Sequence, residues 1–446
     1  MILNSIFAFF QRLNFKLYKN SFVLKNIDWF IFISILLVIL FSTFAPSDNI
    51  GYFAIFGILL TLVKLLTKPN AKLRFSIGDL FLLIYFLIVL ISVAGSTLLM
   101  FSIKGFCKTI IYLGFYITVV NYLKTNRSKI KYILIAVALA ALGESFVAMH
   151  QNFLSVSEIS GWQDVTRLNP EEIMTRVYGT LKPYNPNLFG GYMLGVIPST
   201  LILFFLPLFN KHYKTAVLGL GIFGLSVVSL VLTGCRGAYI GLFFELVLLA
   251  IFTYKFLKPV YKKLFLILAG VFTSVATLIV FSVASLRARV ISIFAMRSDS
   301  SNSFRFNVYN SCFEMFKDNW LLGIGVGNQN FREIYGLYMR TGFDALSAYN
   351  IYLETSVESG IFALLAFLGF IFTNIIGAVR YILRRKNINT VYVLLALVSI
   401  VGLLLHGFVD TVFFRPQLQF IFWIMIAIIR VLAFGRGLSI NGRSRN

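Results

Sequence analysis

Charge is what this chain has least of. Only 13% of its 446 residues are charged and only 17 of those are acidic, against about 25% charged residues in an ordinary soluble protein. So little polar surface excludes a water-soluble enzyme, and the scarcity of Pro, Gly, Ser or charged runs excludes linkers and a disordered tail. Cysteine is scarce as well. Three cysteines fix no disulfide framework, although Cys235 and Cys312 fall on one side of the chain's topology and are free to pair in an oxidising compartment. The repeats that mark many secondary transporters are not visible. The opening apolar run, Met1 to Phe10, has no basic segment ahead of it; a cleavable signal peptide is not expected there, and a short amphipathic piece in the membrane interface is.

What is abundant is apolar sequence, 59% of the chain. Runs of about 17–25 apolar residues recur, each long enough to cross about 30 Å of hydrocarbon. They predict an all-α polytopic bundle of twelve spans at 28–45, 50–66, 79–101, 105–122, 131–149, 188–209, 216–233, 239–255, 264–286, 353–380, 391–409 and 418–434. The net charge of +23 would suit nucleic acid, but its distribution does not. Most of the 40 basic residues sit in the N-terminal segment, in alternate loops and in the C-terminal tail (Arg74, Arg430, Arg436, Arg443 and Arg445 among them), where only Asp28 and Asp79 oppose them. The positive-inside rule then places both termini in the cytoplasm. The chain divides into a cytoplasmic segment 1–27, spans within 28–286, a large periplasmic loop 287–352, spans within 353–434 and a tail 435–446.

Two outer loops are long, 150–187 and 287–352, and long loops are usually functional or disordered. In the second, Phe304, Val308, Tyr309, Cys312, Phe313 and Phe316 share one helical face, which predicts a helix lying on the membrane or roofing a cavity. Ionisable residues within spans are costly and usually functional. Here Lys104, Lys108, Glu144, His150, Arg236, Glu245, His406, Asp410 and Arg415 all gather toward the outer side, with Glu245 about 9 Å deep at 1.5 Å per residue. Each has a plainer role open to it: Lys104 and Arg415 as snorkelling side chains, Asp410 with Arg415 as a structural ion pair, His150 and His406 as lone histidines without ligand spacing. Glu144 and Glu245 each need a partner or a proton, with Lys108 an expected partner. The glycines of Gly323-Ile-Gly-Val-Gly327-Asn328 read as a tight turn, lacking the strand and helix of a nucleotide site. Pro186 fits a helix entry.

Taken together, Thr233-Gly-Cys-Arg236-Gly-Ala, Phe304-Arg305-Phe, Trp320-Leu-Leu-Gly323-Ile-Gly-Val-Gly327-Asn328 and Tyr349-Asn350-Ile-Tyr-Leu-Glu-Thr-Ser-Val-Glu358-Ser-Gly360 resemble the O-antigen ligase and polymerase superfamily over residues 180 to 420. Within it, Ile334-Tyr-Gly-Leu-Tyr338-Met and Leu346-Ser-Ala-Tyr349 are most similar to the cyanobacterial branch named for bicarbonate (inorganic carbon) transport. The family's His before the Asn is replaced by Tyr349, while Asn350 and Gly360 are kept.

The resemblance implies glycosyl transfer from a polyprenyl-diphosphate-linked glycan to a lipid or sugar acceptor, without metal, nucleotide or other cofactor. Bicarbonate transport, or an auxiliary membrane subunit without catalysis, is the alternative. It carries substrate binding onto Arg236 and Arg305, with Arg176, Arg415 and Asn350 beside them, since guanidinium groups match phosphate. An acceptor hydroxyl needs a base. Tyr349 would be a poor one, and Glu354 or Glu358 are open to that role or to plain helix N-terminal placement. Convergence of Arg236, Arg305 and Glu245 on one cavity is the geometric expectation.

Overall fold

A computed structural model describes residues 2–73, 78–153 and 174–435. Arg74, Arg436, Arg443 and Arg445, the middle of the loop 150–187 and nearly all of the 435–446 tail lie outside the described residues. Among the described residues every regular element is helical. Three short helices, α1 (Ile2–Leu13), α2 (Phe15–Asn20) and α3 (Phe22–Lys25), precede the bundle. The bundle opens with α4 (Ile27–Phe44), α5 (Ser47–Thr67), α6 (Gly78–Ala94), α7 (Leu99–Thr125) and α8 (Ile130–Phe153). It continues with α9 (Pro186–Thr200), α10 (Ile202–Phe209), α11 (Tyr213–Val231), α12 (Arg236–Phe256) and α13 (Pro259–Ser282). The long loop contributes α14 (Ala284–Phe294), α15 (Ser300–Asp318) and α16 (Asn328–Tyr335), and α17 (Ile351–Arg384), α18 (Ile388–His406) and α19 (Pro416–Ala433) complete the bundle.

Among the described residues, eleven helical segments are long and apolar enough to span a membrane, and α6 is a shorter apolar twelfth. The third span thus ends at Ala94, not 101: Gly95 to Leu98 form a turn whose Ser96 hydroxyl bonds Ile324 in the long loop. The sixth span is not continuous either. Pro198, which has no N–H to give to the preceding turn, lies just before a break at Leu201 that separates α9 from α10.

α19 and α18 form the axis. Of their apolar windows 89% and 72% are buried, by Ile, Leu, Phe and Trp side chains presented all round, whereas α13 has no buried residue. A helix apolar on every side is buried in protein or bathed in lipid, and this bundle has both kinds. The helices alternate in direction, so the bundle has a loop face bearing 287–352 and a basic face bearing α1–α3.

The loop 287–352 builds its own small core from Val308, Cys312, Met315, Ile324, Phe331, Tyr335 and Ala348, closed on Val357 of α17. The predicted amphipathic helix is α15, started by Asp299, whose side chain accepts the Asn302 N–H. Its buried face is Val308, Ser311, Cys312 and Met315. Phe313 is turned outward, contrary to expectation, because its neighbours on the helix pack down on the loop core.

α17 breaks its helical path at Gly360 (φ 79°, ψ 174°). A kink orphans backbone groups, and the segment 320–325 satisfies them. Ile324 N–H donates to Val357 O (3.0 Å), Gly325 N–H to Glu358 O (2.9 Å), and Ile361 N–H to Trp320 O (2.9 Å). The approach is backbone on backbone: a Cβ on Gly360 would strike the Leu321 carbonyl, and one on Gly323 would strike Glu358. The glycine-rich turn read from the sequence is this strap.

Candidate functional site

One cavity of about 700 Å³ opens at the loop face, over the first residues of α19. α7 forms one wall with Lys104 and Lys108; Arg236 at the start of α12 and Arg289 from α14 form another. Arg305 from α15 and Tyr349 before α17 lie in the roof; Glu354 and Glu358, one turn apart on α17, face it, as do Asp410 and Arg415 from the connection between α18 and α19. Arg176 reaches it from the stretch before α9. Among the described residues its lining holds seven basic side chains against three carboxylates, while Phe367, Phe413 and Trp423 supply an apolar part.

The arginines are held by their backs. Arg176 Nε donates to Thr233 O and its Nη2 to Asn187 Oδ1, both at 2.6 Å; Arg289 Nε donates to Gly234 O at 2.6 Å. Arg236 pairs with Asp299 at 2.8 Å. Three guanidinium groups therefore surround the turn Thr233–Cys235, where Gly234 takes φ +60°. The crowding shows in their acidity: burial and then the charges of Arg176 and Arg236 bring Arg289 down to about 9, and burial also lowers Arg176. Asp299 is lowered as well: burial works to raise it, but Arg236, the Asn302 N–H and Arg289 together hold its carboxyl below the usual range. Arg305 donates to Ser301 Oγ (2.8 Å), lies 5.7 Å from the Tyr349 ring centre and keeps a buried Nε without a partner.

Tyr349 adopts φ +50°, an uncommon conformation for a non-glycine residue, and its carbonyl accepts the Tyr309 hydroxyl at 3.1 Å. Burial, and then Asp410, push its phenol up, against the opposing pull of Arg305. Glu354 accepts the Ala348 N–H and Glu358 the Gly327 N–H, each at 2.8 Å, which leaves each carboxylate further acceptor capacity toward the cavity.

Of the residues singled out in the sequence, Arg176, Arg236, Arg305, Arg415, Lys104, Lys108, Tyr349, Glu354, Glu358 and Asp410 are brought together here. His150 and His406 are not, nor are Asn350, Glu144 and Glu245. Asn350 caps α17, its side chain accepting Tyr352 and Leu353 N–H and donating to Phe408 O, so its polar atoms are used up by backbone. Glu144 is bound by the Thr180 backbone N–H (2.9 Å) and hydroxyl, not by Lys108, which projects into the cavity. Glu245 lies deeper in α12, buried against Gly402 of α18 and outside the cavity lining. The expected pair of Asp410 with Arg415 is absent among the described residues: Asp410 takes Asn187 Nδ2 and Val412 N–H, both at 3.1 Å. Cys235 and Cys312 are free thiols rather than a disulfide. Cys235 Sγ stands 3.4 Å from His406 Nε2, and Cys312 is enclosed in the loop core.

Sequence reasoning missed Arg289, Asn187 and Asp299. The signal for Arg289 was available: Arg287 and Arg289 follow span nine on the side where basic residues are otherwise sparse.

Residues 221–368 match the family described as O-antigen ligase. The match is under half of the chain and runs from α11 into α17, so it takes in Arg236, Arg289, Arg305, Tyr349, Glu354 and Glu358 and leaves out Arg176, Asp410 and Arg415. No curated protein matches the chain.

Proposed function

We propose that this membrane protein, similar over part of its length to O-antigen ligases, transfers a glycan from a polyprenyl diphosphate to an acceptor hydroxyl in the loop-face cavity. The observation that carries the reading is the excess of seven cations over three carboxylates around one cavity with an apolar flank. A diphosphate leaving group needs oriented positive charge where its own charge develops, and arginine forks present paired donors to phosphate oxygens. The apolar flank of Phe367, Phe413 and Trp423 suits the first isoprene units.

In this mechanism the acceptor oxygen bonds to the anomeric carbon, the bond from that carbon to the phosphate oxygen breaks, and its electron pair leaves on the diphosphate. Arg305 and Arg415 face that charge; Arg176, Arg236 and Arg289 anchor the far phosphate. The acceptor proton passes to Glu358 or Glu354. Tyr349, its phenol pushed up, orients rather than accepts. The basic excess at the opposite face supports an orientation with the cavity outside the inner membrane of a bacterium and both termini in the cytoplasm.

A bicarbonate carrier is the competing reading, favoured by the broken helix α9–α10, a feature that carriers use for substrate sites. The deciding experiment compares a deletion strain complemented with wild type or Arg305→Ala, scored for lipid-attached surface glycan and for bicarbonate uptake. Loss of polymerised or attached glycan, restored only by wild type, supports transfer. An intact glycan profile with lost uptake moves the assignment to the carrier, and no change in either leaves an auxiliary subunit.

A further inference from the structure

At the basic face, the opposite end of the bundle from the cavity, lies a second pocket of about 50 Å³, lined by Thr61, Lys64, Asn70, Lys72, Asn121 and Thr125 together with apolar side chains. That is several times the ~10–15 Å³ that holds one water. Two independent features point to an anion. Thr61 is buried and its hydroxyl has no partner, a state that costs free energy unless a ligand completes it. And the charge does not balance: Lys64 (2.6 Å) and Lys68 share the single carboxylate of Asp28, and Lys72 has no acidic partner among the described residues.

The pocket is built, not incidental. Its wall, the segment after α5, is clamped by α1. Gln11 Nε2 donates to both Leu65 O and Ala71 O at 2.8 Å, Asn14 Nδ2 reaches Leu66 O at 3.3 Å, and Asn4 exchanges two bonds with Leu73. These side chains satisfy carbonyls that the end of α5 would otherwise leave open. With its polar side chains turned inward, α1 presents Phe9, Phe10 and Leu13 outward, level with exposed Trp29 at the start of α4. Apolar and Trp side chains beside lysines mark the headgroup layer of a bilayer.

We propose that this pocket binds the phosphate of an anionic phospholipid, held by Lys72, Lys64 and the Thr61 hydroxyl. The site is separate from the cavity and does not depend on the function assigned to it.

The test is native mass spectrometry of the full chain in detergent with dioleoyl phosphatidylglycerol, dioleoyl phosphatidylcholine or inorganic phosphate. Phosphatidylglycerol is expected to stay bound where phosphatidylcholine leaves. Lys72→Gln should weaken it about fivefold, the worth of one lysine near a lipid surface, with Thr61→Val weakening it as well. Arg305→Ala, in the cavity, should leave it unchanged, and unaltered unfolding temperatures show that the variants are folded. Equal retention of both lipids, indifference to Lys72→Gln and Thr61→Val, or displacement of the lipid by millimolar inorganic phosphate would overturn the assignment.

Discussion

The two ends of the bundle treat charge in opposite ways. At the basic face, the ions deepest in the bundle are paired one to one, Arg430 with Asp79 at 2.9 Å and the Tyr116 hydroxyl also on Asp79, and only nearer the surface does one carboxylate, Asp28, serve two lysines. At the loop face, Arg176 and Arg289 are fixed through Nε to backbone carbonyls and Arg236 by Asp299, and the open cavity they line holds, among the described residues, too few carboxylates to match its basic side chains. Matched ions deep in a bundle specify packing. A surplus held in place by backbone at two of its arginines is an arrangement that a ligand completes.

The comparison breaks at the basic face if Asp79→Ala is mild. Removing one partner leaves Arg430, 2% exposed, without its carboxylate, and the expected loss is about 3–5 kcal/mol, read as a lower unfolding temperature, with transfer per folded molecule unchanged. At the loop face the reverse should hold. Arg305→Ala is expected to reduce glycan transfer about 10²–10³-fold, the usual cost of one oriented donor to developing charge, with the unfolding temperature unmoved. A loss below about fivefold would take Arg305 out of the chemistry. Between the two lies the strap: Gly360→Ala forces a side chain into φ 79° against the Leu321 carbonyl and should cost about 1–3 kcal/mol, with protease cleavage appearing first in 320–325.

The smallest effect is expected at Tyr349. Burial and Asp410 raise its phenol above the ordinary value of 10, so it keeps its proton throughout the neutral range. The sign follows: the stability this gives is present below pH ~10 and is lost only as pH rises through the folded value. Tyr349→Phe should therefore keep transfer within about tenfold and leave the shape of the rate profile between about pH 7 and 9 unchanged, including any fall as Arg289 loses its proton near about 9. A rate climbing with pH across that range, and abolished in Tyr349→Phe, would make the tyrosine the base after all.

The spans and the face on which the polar residues gather were legible because hydropathy and charge are local properties of the chain. The ring of Arg236, Arg305, Arg415, Glu354 and Glu358 was legible only as a set, since composition places residues at a depth but not around an axis. Asn350 shows the limit: an Asn ahead of an apolar helix is as good a cap as a ligand, and only the positions of Tyr352, Leu353 and Phe408 decide. Glu144 was given the wrong partner because Thr180 is 36 residues away in a loop whose path no periodicity reveals. Glu245 lies on the same helix as Arg236 but on the stretch that meets Gly402, a contact between distant helices.

The strap across Gly360 has a consequence for how this segment tolerates mutation. Its three crossing bonds run from peptide to peptide, so the side chains of Leu321, Leu322 and Val357 take no part in making them. Substitution at the exposed Leu321 or Leu322 leaves the seam closed, whereas Val357 also serves the loop core and Gly323 and Gly360 admit no side chain. Length is another matter: one residue inserted or deleted within 320–325 or within 357–361 moves the donors out of step with their acceptors and brings a side chain where only hydrogen fits. The seam is strict in spacing and permissive in spelling only at its outward positions.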